Sequence, residues 1–134
     1  MADNEKTLLM VISSPPYTIK AVDGLLTVLG VSPKLKWKIT IFLADNGVHI
    51  AERGQRPLEG VYVKTASSHG VPFHEVNFEK ALIRLLEEGV SVYASEEACL
   101  RFGLENQDLV SGVAMADYSV LSEEALRSKA TFFF

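Results

Sequence analysis

Five short apolar runs constrain the fold of this chain more than any other feature of its 134 residues. Each run is rich in β-branched or aromatic residues and is continuous instead of alternating with polar residues, which is typical of strands covered on both faces. Helical stretches separate the runs, so the pattern predicts a parallel sheet built from βα units. The runs are TLLMVIS (7–13), KITIFLA (38–44), VSVYA (90–94), the weaker GVAMA (112–116) and TFFF (131–134).

Capping residues and apolar spacing predict four helices between these strands. Their predicted bounds are Thr18 to Gly30, Asn77 to Gly89, a short helix that starts at Ser95, and a stretch between Asp117 and Lys129. Apolar residues that recur every third or fourth position mark the side of a helix that faces the core. The marked residues are Ile19, Val22, Leu26 and Leu29 on the first helix, Phe78, Leu82, Leu85 and Leu86 on the second, and Leu121, Ala125 and Leu126 on the last.

Length and composition limit the class of protein. We expect residues 1–134 to form a single domain, because typical domains have about 100 to 150 residues. Hydrophobic residues make up 48% of the chain and charged residues 22%, a balance that predicts burial of some surface against other subunits. The first apolar run is too short to span a bilayer and follows acidic Asp3 and Glu5, so we expect a cytoplasmic protein without a membrane segment. The net charge of −4 offers no basic field, so we expect no nucleic acid partner.

The pattern fades between residues 53 and 76, where glycines and prolines interrupt it. A loop of this length is often a functional lid or a subunit contact. The alternative is a variable surface excursion, and the sequence does not decide between the two.

The residues that follow each strand form the candidate site, because ligands of open parallel sheets gather beyond the carboxyl ends of the strands. The turn SSPPYT (13–18) resembles the hydroxyl-rich phosphate loop of flavodoxins. Pro15 and Pro16 have no N–H to donate, however, so we expect neither flavin nor any other cofactor. The turn DNGVH (45–49) predicts positive φ at Asn46 or Gly47. The candidate residues of a ligand- or partner-binding cleft are Ser13, Ser14, Tyr17, Asn46, His49 and Ser95.

Cys99 is the sole cysteine, so it acts either as a single thiol or as a packing residue. If Ser95 caps the short helix, Cys99 lies one turn beyond the N–H groups that stabilise a thiolate. Glu96 and Glu97 disfavour a second anion nearby and so raise the thiol pKa. Cys99 and Phe102 also have the i, i+3 spacing of a buried pair, which favours the packing interpretation.

Three histidines, His49, His69 and His74, lack the paired spacing of metal ligands, so we expect no metal site. Whether they converge on one lid is left open by the sequence. A hydrolase that uses Ser95 with a histidine is disfavoured, because Ser95 lacks the glycine-flanked turn that exposes such a nucleophile.

Several stretches together resemble the DsrE/DsrF-like family, and most of all its DsrF or TusC branch. The resemblance covers nearly the whole chain except residues 58–76. The stretches that carry it are VISSPPYTIKAVDGLLTVL, IFLADNGVHIAERGQRP, LLEEGVSVYASEEACLRFGL and KATFFF.

The resemblance implies a flavodoxin-like parallel sheet of about five strands with helices on both faces. It further implies trimers or hexamers, formed with itself or with DsrE-like paralogues, that relay sulfur in the cytoplasm to an acceptor of the TusE or DsrC kind. The family's sulfur-carrying cysteine lies eight residues before the glycine that closes the short helix. Counted back from Gly103, that position is Ser95 in this chain.

A serine hydroxyl cannot hold a transferable sulfur, so the resemblance favours a structural or partner-binding subunit of a sulfur-relay assembly. One alternative is an active persulfide carrier that uses Cys99. Another is a module that binds a small ligand such as a nucleotide or flavin in the strand-end cleft.

Overall fold

The structure is a computed structural model that describes residues 6–16, 18–31, 36–54 and 77–134. Its strands are β1 (Thr7–Ile12), β2 (Lys38–Leu43), β3 (Ser91–Ser95), β4 (Ala114–Ala116) and β5 (Ala130–Phe133). Its α-helices are α1 (Ile19–Val31), α2 (Phe78–Glu87), α3 (Glu96–Arg101) and α4 (Tyr118–Arg127). Two 3-10 helices, Asp45–Ala51 and Asn106–Asp108, complete the secondary structure of these ranges. Within them, no helix has the length and apolar composition needed to cross a membrane.

All strand pairings in the sheet are parallel, and the strand order is β4-β3-β2-β1-β5. The predicted α/β fold with a five-stranded parallel sheet is therefore confirmed. Every predicted run overlaps one strand, and the bounds differ by one or two residues. The weak GVAMA run yields the shortest strand, with three residues.

The strand order determines which face each helix covers. From β1 to β4 each new strand is added on the same side, whereas β5 returns to the opposite side of β1. Crossovers between parallel strands are right-handed, so reversing the direction moves the helix to the other face. Residues of α1, α2 and α3 accordingly belong to one buried cluster, and those of α4 to a second, smaller one.

The larger cluster contains the predicted apolar side of α2. Phe78, Leu82 and Leu85 are fully buried, and Leu86 packs against the cluster while half-buried. On α1 the buried side chains are Ala21, Leu25 and Val28. The side chains predicted to face the core from α1, those of Ile19, Val22, Leu26 and Leu29, lie outside the described part of the chain.

The prediction of which α4 residues face the core is wrong at two positions. Ala125 is exposed, and Leu126 is 90% exposed, while Leu121 is half-buried as expected. The buried residue of the helix is instead Glu124. The surface that Glu124 contacts explains why a carboxylate, and not an apolar side chain, faces the sheet at this point of α4.

The sheet beneath the C-terminal half of α4 is polar, because Thr7 and Thr40 point toward it and are buried. The Thr40 hydroxyl donates to a Glu124 carboxylate oxygen at 3.5 Å, and the Thr7 hydroxyl donates to the Arg127 carbonyl at 3.0 Å. Arg127 also pairs with the Glu124 carboxylate. A buried carboxylate is tolerated where such partners meet it, so α4 turns Glu124 inward and Leu126 outward.

The 3-10 helix Asp45–Ala51 packs directly against the end of β1. A Cβ atom at Gly47 would lie 2.1 Å from the Ile12 carbonyl oxygen, a distance that no side chain can occupy. The sequence predicts a turn here, but Gly47 is required for close approach and not for its φ. The positive φ lies at Asp45, where φ is 46°, and not at Asn46 or Gly47.

We expect Gly47→Ala to lower the free energy of unfolding by about 3 kcal/mol or more, because either the turn or the end of β1 must move. Urea denaturation followed by circular dichroism measures the loss. Gly103→Ala is the matched control: its φ is +71°, but nothing lies within 4 Å of an added Cβ. It should lose only about 1 kcal/mol from the left-handed backbone. An equal or smaller loss at Gly47 would contradict the close contact.

Candidate functional site

The turn after β1 contributes two of the predicted site residues to the carboxyl edge of the sheet. Ser13 is exposed and Ser14 is half-buried, whereas Tyr17 lies outside the described residues. The Ser13 N–H donates to the Phe134 carbonyl at 2.9 Å, which ties this turn to the end of β5. Thr18 begins α1 as predicted, since its hydroxyl accepts the Ala21 N–H at 3.4 Å.

Ser95 is the last residue of β3 and the N-cap of α3. Its hydroxyl accepts the Ala98 N–H at 3.2 Å, as expected for a serine at this position. The side chain is buried. Its hydroxyl is thus used within the fold, and Ser95 does not share an open surface with the exposed Ser13 and Asn46.

Cys99 belongs to a different part of the core from the residue that pairs with Ser95. Ser95 is paired in register with Ala116, which belongs to the cluster beneath α4. Cys99 belongs to the larger cluster and is only 1% exposed. The thiol therefore does not take the place of the hydroxyl one turn earlier, because the hydroxyl caps α3 whereas the thiol packs in the larger cluster.

Two side-chain contacts join the end of α3 to the 3-10 helix Asp45–Ala51. The Phe102 and His49 rings pack with their centroids 4.5 Å apart, and Arg101 reaches Asp45 at 3.9 Å. The predicted pairing of Cys99 with Phe102 is thus only half right. Phe102 remains partly exposed and covers His49, while Cys99 points into the core.

Glu52 is the residue of this region that sequence reasoning missed. The His49 imidazole Nδ1 donates a hydrogen bond to its carboxylate. The i, i+3 spacing of His49 and Glu52 was a usable signal for that pair. No sequence signal indicated that Glu52 lies near Cys99, because that proximity arises from the packing of α3 on the 3-10 helix.

Two effects raise the pKa of the Cys99 thiol. Burial is the larger, since it disfavours the thiolate, and the negative charge of the nearby Glu52 carboxylate adds to it. The thiol is consequently protonated at neutral pH to a greater extent than an ordinary cysteine. This is the opposite of the electropositive setting that activates cysteine nucleophiles.

Among residues 6–16, 18–31, 36–54 and 77–134, no group of three His, Cys, Asp or Glu side chains could hold a metal ion. His69 and His74 lie outside these ranges, as does most of the predicted 53–76 loop. Whether the three histidines converge on one lid therefore depends on residues outside the described part of the chain.

A sequence model of the DsrE/DsrF-like family matches residues 6–134. No curated protein sequence matches the chain. Among solved structures, the chain is similar to the ychN protein of E. coli, with a TM-score of 0.75, 19% identity, and coverage of 97% of this chain and 99% of that one.

Two further solved structures share the fold. Protein MTH1491 from Methanobacterium thermoautotrophicum has a TM-score of 0.65 and 12% identity, with 95% of this chain and 97% of that one covered. Protein BT1422 from Bacteroides thetaiotaomicron has a TM-score of 0.65 and 15% identity, with 100% of this chain and 98% of that one covered.

We expect the Cys99 thiol to react with a disulfide reagent far more slowly in the native protein than in urea, since it is buried and its pKa is raised. The native rate should increase with pH as the thiolate forms. Glu52→Gln should raise the rate at neutral pH because it removes the negative charge beside the thiol. Glu87→Gln, which makes the same change at an exposed position on α2, should not. Equal native and unfolded rates would contradict the burial.

Proposed function

Because the chain belongs to the DsrE/DsrF-like family, which is associated with sulfur relay, we propose that it is a TusC-type subunit of a cytoplasmic sulfur-relay assembly. In this proposal the subunit supports the assembly or binds a partner, and another subunit carries the sulfur. The observation that carries the proposal is the hydroxyl of Ser95, which occupies the position expected for the family cysteine and caps α3.

The chemistry of persulfide transfer requires a thiolate. The thiolate attacks the outer sulfur of a donor persulfide, a new S–S bond forms, and the donor leaves as its own thiolate when the old S–S bond breaks. A serine hydroxyl is not ionised at neutral pH and forms no such bond. Ser95 therefore cannot perform the step that the family cysteine performs.

The surroundings of Cys99 also disfavour the carrier alternative. A donor must bring its persulfide to within bonding distance of the attacking sulfur, and Cys99 is buried on the inner side of α3. Burial and Glu52 keep its pKa above the ordinary value, so little thiolate is present at neutral pH. Both effects slow the attack, which supports a role for Cys99 in packing.

Exposed apolar side chains near the outer edge of the sheet support a role in assembly. Among the described strands β5 is an edge strand, and it has neither a charged residue nor a proline to deter pairing. Phe133 is 75% exposed and Phe132 about half exposed, and Leu126 projects from α4 a few residues earlier in the chain. Large exposed apolar groups of this kind are typical of subunit contacts.

We expect the wild-type protein to gain no sulfur when it is incubated with a small-molecule persulfide such as glutathione persulfide. Intact-protein mass spectrometry at neutral pH measures the adduct, and alkylation of the thiols before analysis keeps it from being lost. Ser122→Cys, which adds a thiol at an exposed position on α4, is the positive control and should gain one sulfur atom. A sulfur on the wild-type chain that disappears in Cys99→Ser would establish the carrier alternative and reject the proposal.

We expect the wild-type chain to sediment as an oligomer and Phe133→Ser to shift it toward the monomer. Loss of one buried aromatic contact at an interface removes about 1.5–3 kcal/mol, which raises the dissociation constant at least about tenfold. Sedimentation velocity over a range of concentrations measures the shift. Ser122→Ala is the control for an exposed residue outside the apolar edge. A wild-type monomer at every concentration would contradict self-assembly.

A further inference from the structure

A shallow cleft of about 270 Å³ lies between α3 and the start of α4. Its lining residues are Glu96, Glu97, Leu100, Asp117 and Tyr118. The cleft adjoins Ser95, because Ser95 caps the helix that provides three of these residues. None of the interactions described so far uses the outward-facing residues of this cleft.

The apolar part of the cleft consists of two unusually exposed side chains. Leu100 is 81% exposed and Tyr118 is 40% exposed. The inner face of the Tyr118 ring packs near Phe42, with ring centroids 6.0 Å apart, so the ring has a supported position. A single exposed leucine needs no explanation, but two apolar side chains that line one cleft form a surface that gains from being covered.

The size of the cleft favours a protein side chain as its occupant. Pockets for small molecules usually enclose about 300 to 1,000 Å³ and bury most of the ligand. At about 270 Å³ and open to solvent, this cleft is suited to one or two side chains from a partner surface.

The rim of the cleft is negatively charged. Hydrogen bonds from the Ser119 side chain and backbone hold the pKa of the Asp117 carboxyl below its usual value, so Asp117 is ionised at neutral pH. Glu96 and Glu97 are exposed on the opposite wall. Among the described residues, Arg101 lies 3.6 Å from Glu97, and it is shared with Asp45 at 3.9 Å.

We propose that this cleft docks a segment of a partner protein that presents an aliphatic or aromatic side chain next to a lysine or arginine. The apolar side chain covers Leu100 and Tyr118, and the cation lies among the carboxylates of Glu96, Glu97 and Asp117. The proposal rests on the proposed function, since it specifies the partner chemistry of the same subunit. The negative rim disfavours nucleic acid, an anionic membrane and an acidic partner surface as occupants.

Selection from a random-peptide display library on the immobilised full chain tests the proposal. We expect the selected peptides to be enriched in Lys or Arg adjacent to Leu, Ile, Phe or Trp. A synthetic copy of a selected peptide should then shift the backbone NMR signals of Leu100 and Tyr118 in the labelled protein. Its affinity should fall when ionic strength rises from about 0.1 M to 1 M, where the Debye length shortens from about 10 Å to 3 Å.

Two variants separate the apolar and the charged contributions. Leu100→Ser and the double variant Glu96→Gln/Glu97→Gln should each weaken the peptide about tenfold, since each removes one component of the contact. The double variant Glu87→Gln/Glu123→Gln removes the same charge at exposed positions outside the cleft and should leave the affinity unchanged. Circular dichroism confirms that each variant is folded.

Three outcomes would overturn the docking proposal: no enriched peptide class, enrichment of acidic peptides, or binding that both cleft variants leave intact. These outcomes differ from failure of the proposed function. Sulfur on Cys99 in the persulfide assay would reject the non-carrier role whatever the peptides do, whereas failure of peptide selection leaves the sulfur result as it stands.

Discussion

The close approach of Gly47 to the end of β1 is the contact on which the carboxyl edge of the sheet depends. Only a residue without a Cβ can bring the 3-10 helix Asp45–Ala51 against the Ile12 carbonyl. The contact buries Val48, Ile50 and Ala51 and directs His49 toward α3. The helix then closes over the core on the side where Cys99 lies. A backbone contact more than fifty positions away in the sequence thus helps to close the part of the core that contains the thiol.

The return of the chain from β4 to β5 determines how the second face of the sheet is covered. One reversal of direction sends α4 alone to that face, so a single helix covers it among the described elements. The coverage is correspondingly incomplete: the apolar cluster there is small, and Glu124 and two buried threonines occupy part of the helix–sheet contact. The same arrangement leaves Phe133 at the outer edge and Tyr118 beside α3. Both exposed surfaces invoked for assembly and for docking thus arise from one topological feature.

The elements that the sequence predicted well are those whose signals are local. Continuous apolar runs located all five strands, and the caps at Thr18, Asn77 and Ser95 are observed as hydrogen bonds. Predictions failed where a distant residue determined the outcome. The inner side of α4 was wrong because Thr7 and Thr40, which lie far away in sequence, make the opposing sheet polar. The proximity of Glu52 to Cys99 also depends on tertiary packing, which spacing within one segment does not encode.

A serine at position 95 has a physical advantage as well as a chemical limitation. The start of α3 follows β3 without a linker, so the first N–H groups of the helix need an acceptor within the turn itself. A hydroxyl oxygen is a good acceptor for this purpose, whereas sulfur is a weak one, and Ser95 supplies the bond to Ala98. A cysteine at this position would form a poorer cap. In this chain the capped helix holds Cys99 inward and Leu100 outward. The hydroxyl of Ser95 therefore stabilises the helix that provides one wall of the cleft proposed for a partner.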